Sequence, residues 1–166
     1  MLNDGLYGES IQTGLDRLPS EVGYYQPDVL MLLHGANDLL AGRSEATTTY
    51  IVSRLDEMIR AARLRKSNIV IMLATFPPQY EGTSPYDRGA GRAWVPTLNG
   101  KIATLATVSG VTLVDLYKDF AAAGTRLIGV DGLHPTDAGY TQMATSFSNA
   151  ISAKLETKKI TVQPLR

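Results

Sequence analysis

Short apolar runs alternate with longer amphipathic stretches along this chain. Val29-Leu30-Met31-Leu32-Leu33 follows Gln26-Pro27-Asp28 as an unbroken apolar block, the pattern of a strand buried on both faces of a parallel sheet. Ile69-Val70-Ile71-Met72-Leu73 repeats it, and Val111-Thr112-Leu113-Val114 is a weaker third instance closed by Asp115. Between the first two runs, Ile51, Leu55, Met58, Ile59 and Ala62 recur at helical spacing opposite Arg54, Glu57 and Arg60, which predicts a crossover helix. Trp94 to Val108 resumes that period through Leu98, Ile102, Leu105 and Ala106. A last helix is expected to begin near Pro135, a good first-turn residue, with Tyr140, Met143, Ala144, Phe147, Ile151 and Leu155 on one side. Strands alternating with helices predict an α/β sheet with right-handed crossovers. No repeat, low-complexity tract or linker divides the chain. The expectation is one domain over 1–156, followed by a tail over 157–166 that is frayed or adds a short strand at Ile160-Thr161-Val162.

Composition narrows the function. The 166 residues suit one domain with a real core. Sixteen Lys plus Arg balance sixteen Asp plus Glu, so the electrostatic footprint of a nucleic-acid or anionic-membrane partner is missing. With no cysteine, disulfides, thiolate-bound zinc and a thiol nucleophile are excluded, and His34 and His134 are the only imidazoles. No metal site and no cofactor are expected. No apolar stretch reaches the roughly 18 residues of a membrane span. The opening Met1-Leu2-Asn3-Asp4-Gly5 carries no secretory-leader pattern, so localisation is not read.

In open α/β sheets ligands bind outside the carboxyl ends of the strands, and the loops there carry the unusual residues. The first reads His34-Gly35-Ala36-Asn37-Asp38. Its glycine lets backbone approach a ligand, and the Asn37 amide can donate to a developing oxyanion; alternatively Asn37 and Asp38 turn and cap the chain. The last loop reads Asp131-Gly132-Leu133-His134-Pro135-Thr136. There an Asp three residues before a His can hold one ring nitrogen and leave the other as a general base, or the turn simply opens a helix. His34 either touches substrate or ends its strand as a polar residue. The long Phe76 to Arg92 loop, with Tyr80, Tyr86 and Arg88 and with Trp94 beyond it, is either a binding loop shaping a substrate pocket or a surface connection.

Gly35-Ala36-Asn37-Asp38 resembles the third sequence block, and Asp131-Gly132-Leu133-His134-Pro135 the fifth, of the SGNH hydrolases, also called the GDSL lipase and esterase superfamily. The opening Asn3 to Ser10 is similar to the second block, whose glycine is Gly8. The resemblance implies a flavodoxin-like three-layer α/β/α fold and serine-type hydrolysis by a carboxylesterase or acylhydrolase acting on small esters. It implies His134 as general base and acid, Asp131 as its orienter, Gly8 and Asn37 as oxyanion-hole donors, and Asp38 as a brace. Small-ester, arylester, lysophospholipid and acetyl-sugar substrates all stay open.

The first block, a Gly-Asp-Ser turn carrying the nucleophile, is absent from the sequence. The expectation is an N-terminally truncated member without its first strand or strands, weak or inactive as this chain. A second consequence is homo-oligomerisation through the unpaired Val29 to Leu33 edge, unless Ile160 to Val162 pairs there. Ser10, in Gly8-Glu9-Ser10-Ile11, is a surrogate nucleophile or a helix cap. Two other readings remain: a catalytically dead remnant serving as a binding or assembly module, and a nucleotide or phospho-acceptor domain. The last ranks lowest because Gly5-Leu6-Tyr7-Gly8 does not follow a strand.

Overall fold

The computed structural model describes residues 2–83, 85, 87–123 and 126–160, with the backbone alone over 156–160. Helix α1 (Ile11–Tyr25) starts where the Ser10 hydroxyl accepts the Thr13 N–H at 3.2 Å, and buries Ile11, Gly14, Leu18 and Val22. Strand β1 (Val29–Leu32) leads into the short α2 (Ala36–Gly42) and then α3 (Glu45–Arg65), whose cap is Ser44. Strand β2 (Val70–Ala74) is buried at every residue. A 3-10 turn over Gly89–Trp94 runs into α4 (Val95–Ser109), which Gly110 closes in the left-handed conformation. Strand β3 (Thr112–Val114), α5 (Leu116–Ala122) and α6 (Asp137–Ile160) complete the order.

The three strands pair in parallel in the order β1-β2-β3, with Val29 opposite Val70 and Met72 opposite Thr112. Alternation along β2 separates two cores. Ile71 and Leu73 face a layer built from α1, α3 and α4, where Val22, Ile51, Leu55, Ile59, Leu98 and Ile102 are buried. Val70, Met72 and Ala74 face Met143, Phe147, Ala150 and Ile151 of α6. Helices on both faces of a parallel sheet make the expected α/β/α sandwich.

The predicted strands appear within a residue or so of their expected ends. The last helix differs in two respects. Tyr140, Ala144 and Leu155 are exposed, so the stripe that meets the sheet is narrower than the sequence pattern. The narrow sheet, whose third strand has three residues, meets only the middle of a 24-residue helix. The helix also runs on to Ile160, past the expected boundary after 156, so Ile160 is helical; Thr161 and Val162 lie outside the described residues.

Candidate active site

The loops at the carboxyl ends of the strands gather on one edge of the sheet. After β1, Gly35 adopts φ 106°, and a side-chain carbon there would lie 2.8 Å from Cγ2 of Ile51, so only glycine lets the chain turn this tightly. Asn37 and Asp38 follow in the first turn of α2. Asn37 Nδ2 donates to the Glu9 carbonyl oxygen at 3.0 Å, and Asp38 Oδ2 accepts the Ile11 N–H at 2.8 Å. Both draw the chain before α1 onto the end of β1. Gly8 sits there at φ 73° with open space around it, and among the described residues its N–H has no acceptor. Asn37 has a second amide hydrogen beyond the one given to Glu9.

Behind this pair lies a cluster that sequence reasoning missed. Glu9 is only 9 % exposed. Its carboxylate accepts Arg17 Nε at 2.6 Å and Nη2 at 2.9 Å, a fork that holds it well below the usual carboxylate range despite burial. Arg17 also bonds Asp4, and the two acids push its guanidinium up. His34 Nδ1 accepts the Gly35 N–H at 2.9 Å, so the neutral ring carries its proton on Nε2. That Nε2 lies 3.2 Å from Glu9 Oε2, a contact rather than an aligned hydrogen bond. Burial pushes the His34 imidazole down, against the pull of Glu9 and Asp38. The signal in the sequence was an acid just before the Ser10 cap and a base eight positions on, within α1, with the small Gly14 between them.

The second half of the site is the turn before α6. Asp131 Oδ1 accepts the N–H groups of Leu133 and His134, each at 3.0 Å, and Oδ2 bonds His134 Nδ1. Burial raises the Asp131 carboxyl, and these three donors outweigh it and hold it low. One carboxylate therefore folds the turn and fixes the ring, leaving His134 Nε2 to face outward from a side chain that is 51 % exposed. Such a ring can take and return a proton.

Described residues of the Phe76 to Arg92 segment are tied to the Asp131 turn by backbone hydrogen bonds. Tyr80 N–H donates to Gly132 O at 2.9 Å, Thr83 N–H to Val130 O at 2.8 Å and Arg88 N–H to Asp131 O at 2.8 Å. Asp87 Oδ1 closes the segment on itself by accepting the Gly82 and Gly89 N–H groups. At its far end Gly91 packs on Leu39 of α2, where a side-chain carbon would come within 3.0 Å of Leu39 Cγ. One loop thus ties the Asp131 turn to the helix that carries Asn37.

A cavity of about 380 Å³ opens beside this turn, lined by Arg88, Gly129, Val130, Asp131, His134 and Pro135. Of the other expected site residues, His34 is turned into the Glu9 cluster and Trp94 packs against the main core. Tyr86 lies outside the described residues, and Ser10 is engaged as the α1 cap, its hydroxyl also 3.0 Å from Thr13 Oγ1. Among the described residues there is no group of three or more His, Cys, Asp or Glu placed to hold a metal ion, and no helix is long and apolar enough to cross a membrane.

A parallel sheet between helices on both faces, with the Asn37 loop after β1 and the Asp131–His134 turn before α6, defines an α/β protein of the three-layer class. The chain belongs to the GDSL-like lipase/acylhydrolase family, whose model matches residues 1–142. It is similar to an arylesterase of Vibrio mimicus, 27 % identical over 135 residues, a match covering 81 % of this chain and 61 % of the relative. Its fold is similar to that of a lipase/acylhydrolase from Enterococcus faecalis, with TM-score 0.71 and 24 % identity over 89 % of this chain and 72 % of that one. A GDSL-like lipase from Bacteroides thetaiotaomicron superposes with TM-score 0.73 at 20 % identity, covering 89 % and 73 % of the two chains.

Proposed function

We propose that this chain carries the acid-base and oxyanion-binding parts of an ester hydrolase acting on small esters. The observation that supports this best is the Asp131 carboxylate bonded to His134 Nδ1, which leaves Nε2 free. In this reading His134 takes the proton of an attacking hydroxyl and returns it to the leaving alkoxide, while Asp131 stabilises the imidazolium. The Gly8 N–H and the free hydrogen of Asn37 Nδ2 receive the oxyanion that forms on the ester carbonyl. The attacking group in this reading is a serine hydroxyl, as the serine-type family reading implies. Without a Gly-Asp-Ser turn, the chain is expected to hydrolyse esters slowly, because losing one member of such a unit costs several powers of ten in rate.

The test is hydrolysis of p-nitrophenyl acetate by the pure chain and by His134→Ala. A slow rate that falls in the variant supports the reading, and equal rates overturn it. A second reading, a binding module on the same fold, is favoured by the Ser10 hydroxyl being spent on helix capping. Saturable ester binding with no His134-dependent turnover selects that one.

A further inference from the structure

We propose that Arg88 makes the cavity beside His134 a subsite for an oxyanion, so that the esters this chain takes carry a carboxylate or phosphate group. This rests on the ester reading of the same site and adds the charge of the substrate to it.

The first support is placement. Arg88 N–H bonds Asp131 O at 2.8 Å, and the adjacent Asp87 carboxylate accepts the N–H groups of Gly89 and of Gly82. A side-chain carbon on Gly89 would lie 1.7 Å from Tyr80 O, so the backbones here are in direct contact. The exposed Arg88 side chain therefore springs from held backbone and lines the same cavity as His134.

The second support is charge. Three arginines surround this turn. Arg92 donates to Gly89 O at 3.0 Å and lies 3.4 Å from Asp87, and Arg126 stacks 5.3 Å from the centre of the Tyr80 ring and reaches Gly129 O at 3.3 Å. Arg88 alone of the three has no side-chain acceptor among the described residues. The one carboxylate in the wall, Asp131, already accepts from two backbone N–H groups and the His134 ring. A planar guanidinium with unused donors matches a carboxylate or phosphate in a bidentate pair. Val130 and Pro135 give the wall apolar surface for the carbon chain between that anion and the ester.

The experiment is a titration of the full chain followed by magnetic resonance of the His134 ring and the arginine Nε–H groups, which needs no turnover. The probes are monomethyl succinate, methyl phosphate and the neutral dimethyl succinate. Both charged probes are expected to shift His134 and Arg88 signals saturably and to bind about tenfold tighter than the neutral one, the yield of one charge-assisted contact. Arg88→Gln should erase that advantage and Arg88→Lys should restore part of it. The tighter of the two charged probes identifies the anion. Equal affinity for all three probes, an advantage that survives in Arg88→Gln, or no saturable shift at all overturns the subsite. Binding with charge preference but without hydrolysis keeps the subsite and removes the hydrolase reading; hydrolysis without charge preference does the reverse.

Discussion

The Asn37 side chain donates to the Glu9 carbonyl oxygen at 3.0 Å across 28 residues of sequence, joining the loop after β1 to the chain before α1. The two candidate oxyanion donors, Gly8 and Asn37, thereby belong to one unit. What keeps that unit rigid is the buried Glu9 carboxylate in the fork of Arg17.

Glu9→Gln keeps the shape and removes the charge. It should cost about 2 kcal/mol, the scale of hydrogen bonds to a charged group, measured as a lower urea midpoint. Gly14→Ala should also destabilise, because its new carbon would lie 2.2 Å from His34 Nε2. If Gly14→Ala is neutral, the His34 ring is not seated in that cluster.

Acid should weaken the fold in steps. An unfolded His34 binds a proton near 6.5, whereas burial lowers that value in the fold, so the unfolded chain holds more protons as the pH drops below 6.5. Glu9 titrates near 4.5 when unfolded and lower when folded, so its contribution is complete above 4.5 and is lost as the pH falls through the folded value. Melting temperature should be flat above neutral pH and fall on acidification, and His34→Gln should remove the first step. A melting temperature that rises between neutral pH and 5 contradicts this.

Two glycines separate the loop clamp from general helix effects. Gly132 has φ 79°, and a side-chain carbon on it would lie 2.1 Å from Tyr80 O, so Gly132→Ala must break the contact between the two loops. It should lower stability by more than about 1 kcal/mol and move the His134 ring resonances. Gly100, inside α4, has nothing within 4 Å of such a carbon, so Gly100→Ala should stabilise by about 0.5–1 kcal/mol. Thermal melts of both variants check the pair.

Strand β1 pairs with β2 alone among the described residues, and its Met31 is 38 % exposed. An open apolar edge invites another strand, so self-association that rises with concentration is expected, and Met31→Lys should reduce it. Light scattering across a concentration series reads this directly; a monomer at every concentration rules it out.

The sequence by itself determined what depends on near neighbours. Apolar runs of strand length marked β1, β2 and β3, helical periodicity marked α3 and α4, and the Asp131-Gly132-Leu133-His134 spacing encoded a turn whose acid reaches its own histidine. The tail of α6 was less legible, because periodicity continues past the point where the narrow sheet stops covering the helix.

Only the tertiary structure decided the rest. Thr83 meets Val130 across 47 residues and Glu9 meets Asn37 across 28, and no local pattern announces either partner. Trp94 packs partly buried against the main core and His34 lies beside Glu9, placements the sequence leaves open because an aromatic or imidazole ring reads alike whichever way it faces. The physical reason is common to all of these. Period and turn chemistry act over a few residues of chain, whereas the clamp, the buried ion cluster and the free Arg88 follow from which backbone atoms the sheet brings into contact.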